Sequence, residues 1–136
     1  MNDISLDEAA LVVTLRDALP DVLAIYLFGS RATHAARHDS DLDLAVLVPG
    51  YADPLALWHL AGRLADQTGH SVDLLDLRAA STVMQYQVIT TGRRLWAQDL
   101  SASLYECFIL SEKTELDTAR AGLLDDIHKE GRIHGR

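Results

Sequence analysis

The stretch Val22-Leu23-Ala24-Ile25-Tyr26-Leu27-Phe28-Gly29-Ser30, separated by ten residues from Asp41-Leu42-Asp43-Leu44-Ala45-Val46-Leu47-Val48, decides the fold. The first segment is a short apolar run with β-branched and aromatic residues, stopped by glycine, and reads as a buried strand. The second alternates acid with leucine before turning wholly apolar, which is the period of a strand with two chemically different faces. On such a strand Asp41 and Asp43 leave the same side, roughly 6 to 7 Å apart along the chain, so both can reach one ion. Leu42 and Leu44 then point to a core. Gly29 lets backbone approach a ligand closely. Arg31 to Ala36 can form a short helix whose first N–H groups would hold phosphate, and Ser30 adds a hydroxyl donor.

Outward from this centre, helices alternate with strands. Ser5 and Glu8 have the spacing of a capping box, and Leu11, Val12, Leu15 and Leu19 follow at helical intervals, so a helix is predicted over about 6–19, ended by Pro20. Asp53-Pro54 supplies an N-cap and a first-turn proline. Leu57, Trp58, Ala61, Leu64 and Ala65 then give an apolar stripe that ends near Gly69. Val72 to Leu77 reads as a strand. Ser81 caps a helix carrying Val83, Met84, Gln87 and Val88 and closed by Gly92, and Arg94 to Ala97 reads as a last short strand. Beyond Ser101 the apolar positions Leu104, Cys107, Phe108, Leu116, Ala119, Leu123 and Ile127 predict one long helix or two shorter ones, with a frayed tail from His128. The pattern is that of an α/β sandwich with its sheet covered on at least one face. Residues 1–136 are read as one domain, with a helical segment over about 100–136.

Bulk properties narrow the function. The 136 residues suit a single active site, and 49% hydrophobic with 24% charged residues is a globular composition. A formal net charge of −8 argues against direct nucleic-acid binding, which needs clustered Lys and Arg, and favours a basic protein partner. No apolar run reaches membrane-spanning length, and the acidic start is unlike a signal peptide. A cytoplasmic address is expected. The single cysteine, Cys107, has no partner for a disulfide or a zinc site and reads as core packing.

The chemistry comes from combining these parts. Gly-Ser after a strand is commonly a turn, and Asp-x-Asp is commonly a solvated strand start. Together they place a phosphate-binding loop beside paired carboxylates, which is what Mg²⁺ needs when it works with a nucleoside triphosphate. A third carboxylate is expected on a neighbouring strand, where Val72-Asp73-Leu74-Leu75-Asp76-Leu77 offers two. Asp73 and Asp76 are three apart and project to opposite faces, and strand physics alone leaves the choice open.

Gly29-Ser30, ten intervening residues and Asp41-Leu42-Asp43 resemble the signature of the polymerase-β-like nucleotidyltransferase superfamily. More narrowly, the chain resembles the minimal nucleotidyltransferases that act as antitoxins beside HEPN-domain ribonuclease toxins. The likeness extends over Leu23 to Phe28, Ser40, Val72-Asp73-Leu74, Arg78 to Val83 and Leu95-Trp96. It implies the polymerase-β-like fold, a mixed β-sheet flanked by helices, and transfer of AMP from ATP to a tyrosine hydroxyl of a cognate HEPN toxin. By the same resemblance Gly29 and Ser30 hold the triphosphate, Asp41 and Asp43 bind Mg²⁺, and Asp73 is the third acid, helping to activate the acceptor. Asp76 is then structural. Competing readings are an antitoxin that acts only by covering its partner, and a small-molecule nucleotidyltransferase of the antibiotic-modifying kind, for which the chain has little length left.

Other residues invite functional readings that simpler ones outweigh. His34 and His38 have helical metal-ligand spacing but no third ligand, and Mg²⁺ prefers oxygen. Arg31 is a better candidate than Arg37 for touching phosphate, being next to Ser30. Trp58 and Trp96 read as core, and Arg93-Arg94 as solubilising charge.

Overall fold

The structure is a computed structural model that describes residues 6–32 and 41–134, with side chains to residue 127. Four strands, β1 (Ala24–Phe28), β2 (Leu42–Leu47), β3 (Val72–Asp76) and β4 (Arg93–Ala97), form one sheet in the order β3-β2-β1-β4. β1 runs antiparallel to both β2 and β4, whereas β2 and β3 are parallel. A parallel pair needs a crossover, supplied by α2 (Pro54–Thr68). The other helices are α1 (Glu8–Ala18), α3 (Thr82–Thr91) and α4 (Ser101–His134).

The sheet is covered on both faces. Leu11 and Leu15 of α1 and Leu57, Leu60 and Leu64 of α2 pack with Ile25, Leu27, Leu42, Leu44 and Val46. On the opposite face Val88 of α3 and Ala102 and Ile109 of α4 pack with Ala24, Tyr26, Ala45 and Leu47. β2 therefore alternates Leu42, Leu44 and Val46 to one core with Ala45 and Leu47 to the other, as its sequence alternation implied. Each fully buried leucine contributes about 2 kcal/mol of transfer free energy.

Local signals explain the element ends. Asp53 accepts a hydrogen bond from the Leu55 N–H, Pro54 opens α2, and Gly69 closes it at φ 75° with its N–H on the Ala65 carbonyl. Ser81 caps α3 by accepting from the Met84 N–H. At α1 the cap differs from expectation: Asp7 accepts from the Ala10 N–H. Ser5 lies outside the described residues, and the Glu8 carboxylate turns away to a two-bond pair with Arg93 at 2.7 and 2.8 Å.

Four side chains depart from their sequence reading. Trp58 is 71% exposed, because the buried line of α2 runs Leu57, Leu60, Leu64 and each residue turns the helix by about 100°, which carries position 58 past the edge of the stripe. Cys107 is exposed for the same reason on α4, where Ala102 and Ile109 face the body and Leu104 and Phe108 face away. Arg93 and Arg94 are structural ties: Arg93 holds Glu8, and Arg94 bonds Glu106 at 3.0 Å. Glu106 also accepts from the buried Tyr26 hydroxyl at 2.6 Å, so β1, β4 and α4 meet at one carboxylate. Trp96 packs partly buried against the core, with the Arg16 guanidinium 4.4 Å from its ring centre. Past Leu116, α4 continues with Leu123, Leu124 and Ile127 all more than half exposed.

Candidate active site

Strand register assembles the acids. Antiparallel pairing sets Phe28, the last residue of β1, opposite Asp43, and parallel pairing sets Asp43 beside Asp73. Paired residues send their side chains to the same face, so Phe28, Asp43 and Asp73 form one row on the α3 and α4 side. Asp41, exposed and two residues ahead of Asp43, continues that side. Asp76 turns to the α2 side, where its Oδ2 accepts from the Ala52 N–H at 2.8 Å. The sheet separates the two acids of β3: Asp73 shares the row with Asp43 and Asp76 does not.

The loop after β1 meets the same row. Gly29 has φ +74°, a conformation that costs L-residues with a Cβ about 1–2 kcal/mol. A Cβ at this position would overlap the Asp43 carboxylate, whose Cγ would lie 3.1 Å from it. Glycine thus turns the chain into the short 3₁₀ turn Gly29–Arg31, closed by the Ala32 N–H on the Gly29 carbonyl at 3.1 Å. It also leaves space for the acid, so the turn after β1 and the Asp43 carboxylate lie against each other.

Electrostatics agree with this crowding. Burial, then the neighbouring charges of Asp73 and Asp41, push the Asp43 carboxyl above its ordinary range. Its charged form is therefore disfavoured in the absence of a compensating cation. Among the described residues no three His, Cys, Asp or Glu side chains already close on a metal-sized point. An open set of carboxylates suits Mg²⁺, which completes its shell with water and substrate phosphate rather than with a protein cage.

Arg31 sits at the end of the loop, and its Nη2 donates to His70 Nδ1 at 3.2 Å, bridging the loop to the turn before β3. His34, Arg37, His38 and Ser40 lie outside the described residues. A feature the sequence did not disclose is a cleft of about 330 Å³ lined by Phe28, Gly29, Met84, Gln87 and Thr91. Helical periodicity put Met84 and Gln87 on α3 but carried no sign that this face of α3 overlooks Gly29. Only packing reveals it.

Comparison with known proteins agrees with this geometry. Residues 12–101 match the family model described as polymerase beta, nucleotidyltransferase. The chain is 38% identical over 122 residues to the protein adenylyltransferase MntA of Shewanella oneidensis, covering 90% of this chain and 88% of that protein. Among solved structures, it resembles a toxin–antitoxin complex with AMP-PNP at TM-score 0.81 and 38% identity, covering 90% of this chain and 99% of the other. It also resembles a chain from the tri-AMPylated Shewanella oneidensis HEPN toxin in complex with MNT antitoxin, at TM-score 0.74 and 37% identity over 89% and 95% of the two chains. Fold, motif and sequence agree: the chain belongs to the polymerase-β nucleotidyltransferase family.

Proposed function

We propose that this chain is a Mg²⁺-dependent protein adenylyltransferase and an antitoxin, which transfers AMP from ATP to a tyrosine hydroxyl of a cognate HEPN-domain ribonuclease toxin and so silences it. The observation that carries this reading is the contact between the Gly29 turn and the Asp43 carboxylate, in one row with Asp73. The name of the Shewanella relative and the complexes just described support the same assignment of substrate and partner.

In this reading the domain spans residues 1–136, and Gly29 and Ser30 receive the triphosphate through backbone N–H groups and the Ser30 hydroxyl. Arg31 steadies the phosphates from the loop's far end. Asp41, Asp43 and Asp73 would hold Mg²⁺, which when bound neutralises triphosphate charge and polarises the reacting phosphorus. The acceptor oxygen bonds to the α-phosphorus, the bond from that phosphorus to the bridging oxygen breaks, and pyrophosphate departs toward the Gly29 turn. Asp73 takes the hydroxyl proton as general base. The neutral Gly29 approach and the half-buried setting of Asp43 exclude water from one side, so positioning and electrostatics supply most of the rate. We place the reaction in the cytosol, since a lone Cys107 suits a reducing compartment.

The test is incubation of the purified chain with labelled ATP, Mg²⁺ and its cognate HEPN-domain protein. Label on the partner, lost in Asp41→Asn and Asp43→Asn variants that still bind it, is the expected result. Absence of label on the partner overturns the assignment. Exposed Leu123, Leu124 and Ile127 on α4 favour a second reading, neutralisation by covering. Variants that still neutralise the toxin without transferring label would establish it.

A further inference from the structure

Next to the row of acids, and sharing Asp73 with it, lies a larger cavity of about 540 Å³ whose lining includes Tyr51, Trp58, Leu74, Leu75 and Asp76. Leu74 and Leu75 are neighbours on β3 and point to opposite faces. A cavity reached by both therefore runs along the outer edge of β3, and β3 is a terminal strand of the sheet. Its outward backbone groups are the natural pairing site for an extended segment. Two aromatic side chains stand beside this edge, Tyr51 and Trp58, each 71% exposed.

The charged groups of the lining are two carboxylates. Asp73 belongs both to this groove and to the row with Asp43, so the groove opens onto the proposed reaction centre. Asp76 is only 9% exposed, and while its Oδ2 accepts from the Ala52 N–H, its Oδ1 has no hydrogen-bond partner. A buried carboxylate oxygen without a donor is costly, and a turn of the Asp76 side chain would present it to a donor in the groove. Along a strand, Asp73 and Asp76 lie about 10 Å apart at roughly 3.3 Å per residue.

We infer that this groove is the acceptor subsite of the proposed transferase: it takes an extended segment of the partner protein along the edge of β3. The segment's hydroxyl side chain reaches Asp73, an apolar side chain sits against Trp58 and Tyr51, and a cationic or amide N–H donor meets Asp76 Oδ1. Selectivity for a polypeptide over a small molecule follows from the open edge of β3, whose row of backbone groups pairs with another extended backbone. Tyr51, Trp58 and Asp76 are positioning residues, and none takes part in phosphoryl transfer. This inference rests on the adenylyltransferase reading, and its test separates the two.

Hydrogen–deuterium exchange of the intact chain, with and without its cognate HEPN-domain protein, reports on the groove whether or not transfer occurs. Protection of 72–76 and 51–58 on complex formation is expected, and unchanged exchange there overturns the inference. In steady-state transfer assays Trp58→Ala and Asp76→Asn are expected to raise the KM for the protein acceptor about tenfold, the effect of one lost charge-assisted hydrogen bond or buried aromatic contact, with the KM for ATP unchanged. Trp58 is exposed and Asn keeps an acceptor for Ala52, so both variants fold. An unchanged acceptor KM, or an equal fall in kcat for all acceptors, overturns the subsite. A wild-type chain that protects the groove yet transfers no label overturns the transferase reading alone.

Discussion

Replacing Gly29 by alanine is expected to lower stability and transfer by amounts that can be measured separately. The φ of +74° imposes about 1–2 kcal/mol on any residue with a Cβ, and for a chain of this size each kcal/mol lowers Tm by about 3–4 °C. A drop of about 3–8 °C follows. That leaves the protein folded at 25 °C, since small domains hold about 5–15 kcal/mol in reserve. The new methyl group would also overlap the Asp43 carboxylate, and relief requires a displacement of about 1 Å, enough to reduce a positioned reaction about 100-fold. Calorimetry gives the first quantity, and labelled-AMP transfer at saturating ATP gives the second. A folded Gly29→Ala protein whose kcat lies within about twofold of wild type would refute the claim that this glycine makes room for a working carboxylate, because 100-fold is the effect of a 1 Å displacement.

Other expectations concern the frame and its charges. Leu64→Ala, at a fully buried position of α2, should cost about 3 kcal/mol and lower Tm by about 10 °C in a thermal melt. Tyr26→Phe removes the hydroxyl bonded to Glu106 and should cost about 1–2 kcal/mol by urea unfolding, with transfer kinetics intact. The Arg93 guanidinium, by its hydrogen bonds and charge, holds the Glu8 carboxyl below its ordinary value. Its contribution is present above that unfolded value and disappears as pH falls through the lower folded one. Glu8→Gln should therefore cost at most about 1 kcal/mol near pH 7 for so exposed a pair, with a difference from wild type that closes in acid. Asp43→Asn removes a carboxylate whose charged form the site disfavours; metal-free Tm should rise while transfer falls. In the same melts, Mg²⁺ with ATP should stabilise wild type more than this variant.

Much of this was legible because caps and alternation act locally. Asp53-Pro54 and Gly69 bound α2 by hydrogen bonds and backbone dihedrals that involve only their neighbours, and the Asp-Leu alternation of β2 records which side of the strand is buried. What stayed hidden depends on partners distant in the chain. Trp58 has helical spacing compatible with burial, yet the helix face that lands on the sheet is chosen by packing and leaves it outside. Arg93 and Arg94 read as solvated because Glu8 and Glu106 reach them only after folding. Strand physics left Asp73 and Asp76 open and the resemblance pointed to Asp73; the register that sets Asp73 beside Asp43 is something no strand carries within itself. The cleft beside Gly29 and the groove along β3 likewise arise from elements that meet late.

The row of Phe28, Asp43 and Asp73 is written across hydrogen-bonded ladders that join three strands. A slip of one residue would turn Asp73 to the wrong face, and no intermediate displacement preserves both pairing and alignment. The site therefore behaves as a digital reporter of the sheet, intact or absent with little between. Under heat or denaturant, the row should be lost at the same midpoint as the secondary structure, in contrast to groups carried only by loops that open before the body melts.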